Sequence, residues 1–337
     1  MMKLQEAWRG LASRSRAAWL VDVNLRGAGQ VMLQDNPLTG LLFIIGIAWG
    51  AFAAGNIAVA IGALVGLIVS TLTAIALRAE RTPLQQGLYG FNGMLVGVAV
   101  PTMLANTPSM WLLLFLGAAV STVVMLAVSQ VMKLWHTPAL TFPFVLTTWF
   151  LTLAAYSFGH VGIAAMGPPA FPAAMTANAA DMDAAFFVTS WLKGPAQVFL
   201  IGNVVTGLIF IAALLVNSVW SAIFALAGSA VSIGFALLMG ASASDIHAGL
   251  YSFSAVLTAI ALGCVFYKPS WRVALFALLG TLFTVIVQGA LDAAVSPFGI
   301  PTFTAPFVFV TWLFLLPRAN LEPHPHAPIK NGVLTGK

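Results

Sequence analysis

The chain is written as long apolar runs separated by short polar ones. Ten runs stand at approximately 37–55, 57–77, 87–104, 109–132, 140–158, 199–216, 219–240, 249–267, 271–291 and 302–317. Each lies near the roughly 20 residues that an α-helix needs to cross a hydrocarbon core. Their interiors hold no Lys, Arg, Asp or Glu, and Arg272 sits only at an edge. Gly and Ala are frequent inside them, which suits close helix packing in lipid. The pattern predicts an all-α polytopic membrane protein with ten transmembrane helices.

The pattern is also written twice. GAGQVMLQDNPLTGLLFIIGI (Gly27–Ile47) recurs as GPAQVFLIGNVVTGLIFIAAL (Gly194–Leu214), an offset of 167 that keeps Gln30/Gln197, Val31/Val198, Leu33/Leu200, Asn36/Asn203 and Thr39/Thr206. QGLYGFNGMLVGVAV (Gln86–Val100) recurs as AGLYSFSAVLTAIAL (Ala248–Leu262) at an offset of 162. TFPFVLTTW (Thr141–Trp149) recurs as TAPFVFVTW (Thr304–Trp312) at 163. Five spans is an odd number, so the second copy enters the membrane from the opposite side. That predicts two inverted five-helix repeats related by a pseudo-two-fold axis in the membrane plane. The division runs 1–26 as a cytoplasmic interfacial segment, 27–158 as the first repeat and 159–193 as an Ala-rich extracellular linker with Pro168, Pro169 and Pro172. Residues 194–317 form the second repeat and 318–337 a cytoplasmic tail.

Composition agrees with this. Hydrophobic residues make up 60% and DEKR 7%, against about a quarter charged in a soluble domain, and mean hydropathy is +0.98. The net charge of +5 reads as loop bias, because no basic run with interleaved aromatics supports nucleic-acid binding. Lys3, Arg9, Arg14, Arg16 and Arg26 mark the N-terminus as inside. Asp22 and Arg26 interrupt its apolar residues, which argues against a cleaved signal peptide. Arg78, Arg81, Lys133, Lys268, Arg272, Arg318, Lys330 and Lys337 then fall inside, and Asp181, Asp183, Asp245 and Asp292 outside, with Lys193 alone against the trend. The expected setting is the cell (inner) membrane with both termini cytoplasmic. A single cysteine, Cys264, leaves no disulfide framework and no Cys-based zinc site.

Candidate chemistry is sparse and sits in the repeated motifs. Asn24–Asn36 and its copy are too short and too polar to cross, which predicts two re-entrant half-helices. Their terminal carbonyls, with Gln30 and Gln197, offer acceptors to a cavity. Phe91/Leu95 and Phe253/Leu257 are spaced i, i+4, so each pair shares a helix face, as a binding wall or as plain packing. Thr141 and Thr304 stand two residues before Pro143 and Pro306; their hydroxyls either satisfy freed carbonyls or meet on the axis. His136, His160 and His247 are widely spread, and no paired carboxylates or Ser/His/Asp set occurs, against an enzyme. The His-x-His of Pro323–His326 belongs to a Pro-rich tail and predicts no metal site.

NLRGAGQVMLQDNPLTG, GLYGFNGMLVG and LTFPF, with their second copies, closely resemble the urea transporter family over about residues 20–317. The resemblance implies a homotrimer in which each protomer holds its own slot, walled by Phe and Leu and edged by oxygen acceptors. It implies that urea or a related small amide passes down its gradient without coupling, amid membrane lipid and with no cofactor. Gln30, Val31, Phe91 and Leu95 would line one portion; Gln197, Val198, Phe253 and Leu257 would line the other, with Thr141 and Thr304 at the constriction. Leu33 stands where a phenylalanine is common, Gly202-Asn203-Val204 where Asn-Asn-Pro or Asp-Asn-Pro is usual, and Ser254 where Asn is usual. Urea is flat and neutral, with four N–H donors and one carbonyl. Each polar group stripped of water without replacement costs roughly 2–7 kcal/mol, so acceptors must line the slot. The alternative is an ion-coupled secondary transporter of short amides, which usually needs intramembrane carboxylates.

Overall fold

A computed structural model describes residues 8, 10–174, 183–317, 320–325, 329–330 and 333–334. Of the residues singled out above, Lys3, Arg9, Asp181, Arg318, His326 and Lys337 lie outside the described ones. The first half comprises α1 (Arg16–Gln30), α2 (Pro37–Ala53), α3 (Ile57–Ala76), α4 (Phe91–Met103), α5 (Pro108–Lys133) and α6 (Phe142–Ala155). The second comprises α7 (Ala184–Gln197), α8 (Val204–Asn217), α9 (Val219–Leu238), α10 (Phe253–Ile260, continued by a π-turn Ala261–Val265), α11 (Trp271–Val295) and α12 (Ala305–Leu315). A two-stranded ribbon pairs Ile329–Lys330 with Val333–Leu334 in the tail. Short helical turns at Arg81–Gln85, Ala243–Ala248 and Ser296–Phe298 and isolated bridges pairing Leu104 with Ile163 and Tyr267 with Pro323 add to the described secondary structure.

Local chemistry starts these helices alike in both halves. Asn36 accepts hydrogen bonds from the Leu38 and Thr39 N–H groups at 2.9 and 3.3 Å, and Asn203 accepts from Thr206 at 3.0 Å. An Asn at this position satisfies donors that the first turn leaves open. Pro37, Pro108, Pro143 and Pro306 occupy first turns, where a missing N–H costs nothing.

The apolar helices are not of one length. Among the described residues, four helical stretches are long and apolar enough to cross a membrane, and they contain α3, α5, α9 and α11. The helices that alternate with them, α2, α4, α6, α8, α10 and α12, are shorter, and the order short, long, short, long, short holds in each half. Burial gives the reason for the two central short helices, α4 and α10. Every residue of α4 except Thr102 is buried, as is all of α10, whereas α5 exposes Leu112, Phe115 and Leu116. A helix facing lipid must satisfy its backbone across the full thickness, but one enclosed by protein can end early in turns.

In each half one helix crosses an expected boundary, that between the interfacial segment and the first repeat and that between the linker and the second. Helix α1 runs unbroken across residues 26 and 27, and α7 across 193 and 194. Arg26 helps to hold α1 by pairing with Asp22 one turn earlier (2.7 Å) and with Asp35 in the connector (2.6 Å). Asn24–Asn36 is therefore the last turns of α1 followed by a non-helical link.

The halves meet through equivalent positions. Thr39 Oγ1 donates to the Ala213 carbonyl and Thr206 Oγ1 to the Gly46 carbonyl, both at 2.9 Å. Trp149 Nε1 donates to the Pro301 carbonyl at 2.9 Å and Trp312 Nε1 to the Pro138 carbonyl at 2.8 Å. Each bond is thus matched by one in which donor and acceptor positions have exchanged halves. Between α2 and α8 the Phe43 and Phe210 rings, themselves repeat partners, meet edge to face with centroids 4.9 Å apart.

Candidate functional site

Gln30 ends α1 and Gln197 ends α7. Gln30 Nε2 donates to the Gln86 carbonyl at 2.9 Å, and Gln197 Nε2 to the Ala248 carbonyl at 2.8 Å. Each acceptor precedes a glycine with positive φ, Gly87 at 74° and Gly249 at 83°. A Cβ on Gly87 would strike the Gly27 backbone, so only glycine lets this turn lie against the end of α1. With Nε2 so engaged, each glutamine keeps Oε1 as an acceptor.

The row of free terminal carbonyls expected at these helix ends is partly spent. The Leu33 N–H donates to the Gln30 carbonyl at 3.0 Å and the Leu200 N–H to the Gln197 carbonyl at 2.9 Å. Leu33 and Leu200 both hold the left-handed conformation, at φ 63° and 55°. That costs a non-glycine residue roughly 1–2 kcal/mol, and such cost persists where the surroundings demand one chain path. Leu200 is absent from the sequence-derived site, although it is the aligned partner of Leu33.

The remaining expected residues form two equivalent buried sets. Val31 and Val198 are buried directly after the glutamines, and Phe91, Leu95, Phe253 and Leu257 are buried along α4 and α10. Thr141 and Thr304 are brought into direct contact, their hydroxyls 2.7 Å apart with either as donor. Both are almost fully buried, and each follows a residue with positive φ, Leu140 at 53° and Phe303 at 49°.

Sequence reasoning missed the group that aims the first threonine. Asn92 Oδ1 accepts the Phe144 N–H at 3.0 Å, and Asn92 Nδ2 donates to the Leu140 carbonyl at 3.4 Å, so α4 braces the start of α6. Its counterpart Ser254 is buried and its hydroxyl has no partner among the described residues. The brace exists in one half only. The signal was in the repeat alignment, as an amide inside an otherwise apolar helix.

No described cluster of three or more His, Cys, Asp or Glu is arranged to hold a metal ion. Cys264 is buried beside Ser221 Oγ (3.6 Å) and the Ile260 carbonyl (3.4 Å). An open recess of about 390 Å³ lies at the start of α7 beside Asp183, Phe186, Thr189 and His247, and a cavity of about 100 Å³ lies beside Ile47, Ala63 and Met94. Neither includes a residue expected to line the slot.

Comparison with known proteins finds relatives of this sequence. The family model described as "Urea transporter" matches residues 21–319. "Urea transporter 1" of Ovis aries is 30% identical over 324 residues, covering 93% of this chain and 81% of that protein, and the Capra hircus protein matches equally. "Urea transporter 1" of Rattus norvegicus is 30% identical over 305 residues, covering 88% of this chain and 76% of the relative.

Proposed function

The chain belongs to the urea transporter family, and from that premise we propose that urea crosses it in a narrow uncharged slot between the two halves, past Thr141 and Thr304. It is an integral membrane protein that facilitates urea transport and not an enzyme. The observation that carries the proposed route is the buried hydroxyl pair, 2.7 Å apart, on the contact where the two halves exchange matched hydrogen bonds.

The proposed mechanism is replacement of water by fixed partners. Gln30 and Gln197 each present Oε1 to urea N–H groups, while Phe91 with Leu95 and Phe253 with Leu257 supply flat apolar walls. Val31, Val198 and Leu33 fill the slot's sides. Removing urea's shell without such acceptors would cost roughly 2–7 kcal/mol per polar group. A hydrated ion would lose far more and gain no counter-charge, so the slot selects neutral solutes. The two threonines touch, so they part as each urea passes edge-on.

The finer architecture is proposed on the same footing. Ten spans in two inverted repeats (27–158 and 194–317), joined by an outer linker at 159–193, accommodate both the odd span count and the matched bonds. The last turns of α1 and α7 serve as the re-entrant half-helices. Loop charges support cytoplasmic ends, 1–26 and 318–337, in the cell (inner) membrane. A homotrimer with one slot per protomer completes the proposal, and light scattering of the detergent-solubilised protein tests it.

Stopped-flow urea efflux from proteoliposomes with all ion gradients collapsed tests the transport mode. Efflux well above that of protein-free vesicles is expected. Efflux that appears only with an imposed proton or sodium gradient would instead support the coupled transporter.

A further inference from the structure

Two further threonines stand out by what they lack. Thr148 on α6 and Thr311 on α12 are fully buried, and neither hydroxyl has a hydrogen-bond partner among the described residues. They are repeat partners at the same offset of 163 that relates Thr141 to Thr304. A helical threonine ordinarily bonds the carbonyl one turn back, as Thr152 does with the Thr148 carbonyl at 2.9 Å. Leaving such a hydroxyl unpaired costs roughly 1–3 kcal/mol. Thr147 is also unpaired, but its counterpart is Val310, so it has no twin.

Their position is defined by the helices. Thr141, Val145 and Thr148 follow one another at i, i+4 and i+7, as do Thr304, Val308 and Thr311, and all six are buried. That spacing keeps each set on one helix face. Seven residues advance about 10 Å along a helix. Trp149, next to Thr148, bonds Pro301 ahead of α12, and Trp312, next to Thr311, bonds Pro138 ahead of α6, so the two helices leave the touching pair in opposite directions and Thr148 and Thr311 lie one on each side of it.

Proton supply along the slot is the gap they fill. Each glutamine spends one of its two Nε2 protons on a backbone carbonyl, and the central threonine pair spends one of its two protons on itself, so donors along the slot are few. Urea carries an acceptor as well as donors, and its carbonyl oxygen needs a donor on the way in and on the way out. We propose that Thr148 and Thr311 are specificity-determining residues whose hydroxyls donate to the urea carbonyl on either side of the constriction. The inference rests on the proposed route between the halves.

The test is stopped-flow flux of urea and of thiourea, whose sulfur is a weak acceptor, through wild type, Thr148→Val, Thr311→Val, the double variant and the two Thr→Ser variants. Wild-type urea flux above protein-free vesicles is the control for the family activity, and loss of urea flux on Thr141→Val is the separate control for the route. Each valine variant is expected to lose roughly fivefold in urea flux with much less loss for thiourea, while serine retains the wild-type ratio. Unchanged urea flux in the double valine variant, or equal loss of both solutes, overturns the assignment. If valine impairs folding, the serine variants decide: a changed urea-to-thiourea ratio with the hydroxyl still present also overturns it.

Discussion

Thr141 Oγ1 and Thr304 Oγ1 lie 2.7 Å apart in the interior, although 163 positions separate the two residues in the chain. Each hydroxyl is the other's partner, which makes stability and transport separable. Thr141→Val leaves Thr304 buried without its partner, at an expected cost of roughly 1–3 kcal/mol, whereas replacing both with valine is expected to be nearly neutral for stability. Urea flux is expected to fall several-fold in the single variant and further in the double. Thermal unfolding in detergent together with proteoliposome flux checks this. A double variant that is stable and still carries urea at the wild-type rate would contradict it.

The two glutamines hold equivalent places at the ends of α1 and α7. Gln30→Leu and Gln197→Leu each remove an acceptor and a bond to a neighbouring carbonyl. Each is expected to lower urea flux by about tenfold, since even 1.4 kcal/mol of lost solvation has that effect. Flux measurements on the two variants side by side check the equivalence as well as the size.

The missing brace in the second half predicts a gain. Ser254→Asn would place an amide where Asn92 holds the Phe144 N–H and the Leu140 carbonyl in the first half. The expected effect is stabilisation on the order of 1 kcal/mol, and Asn92→Ser is expected to destabilise by a similar or larger amount. Thermal unfolding in detergent decides both. A lowered midpoint for Ser254→Asn would show that the second half is packed too tightly to accept the amide.

The repeat and the placement of the apolar runs were legible in the sequence because hydropathy and duplication are local records. The meeting of Thr141 with Thr304 stood in the sequence as one of two readings, since a threonine before Pro in both copies is a pattern in one dimension. The alternation of long and short helices was not. A helix enclosed by protein, such as α4, is as apolar as one facing lipid, such as α5, so hydropathy does not tell them apart. The continuity of α1 past residue 26 is helped by Arg26 reaching Asp22 one turn back and Asp35 in the connector, and the second contact exists only once the connector has folded back. The left-handed Leu200 and the unpartnered hydroxyls of Thr148 and Thr311 are equally products of packing.

Whether urea passes between the halves at the threonine pair is tested most directly by closing that point reversibly. In a Cys264→Ser background, which removes the chain's single cysteine, Thr141→Cys with Thr304→Cys puts two thiols where the hydroxyls touch. Urea flux through the proteoliposomes is then measured after oxidation and again after reduction. Oxidation is expected to abolish flux and reduction to restore it. A disulfide verified by mass spectrometry with urea flux unchanged would contradict the account.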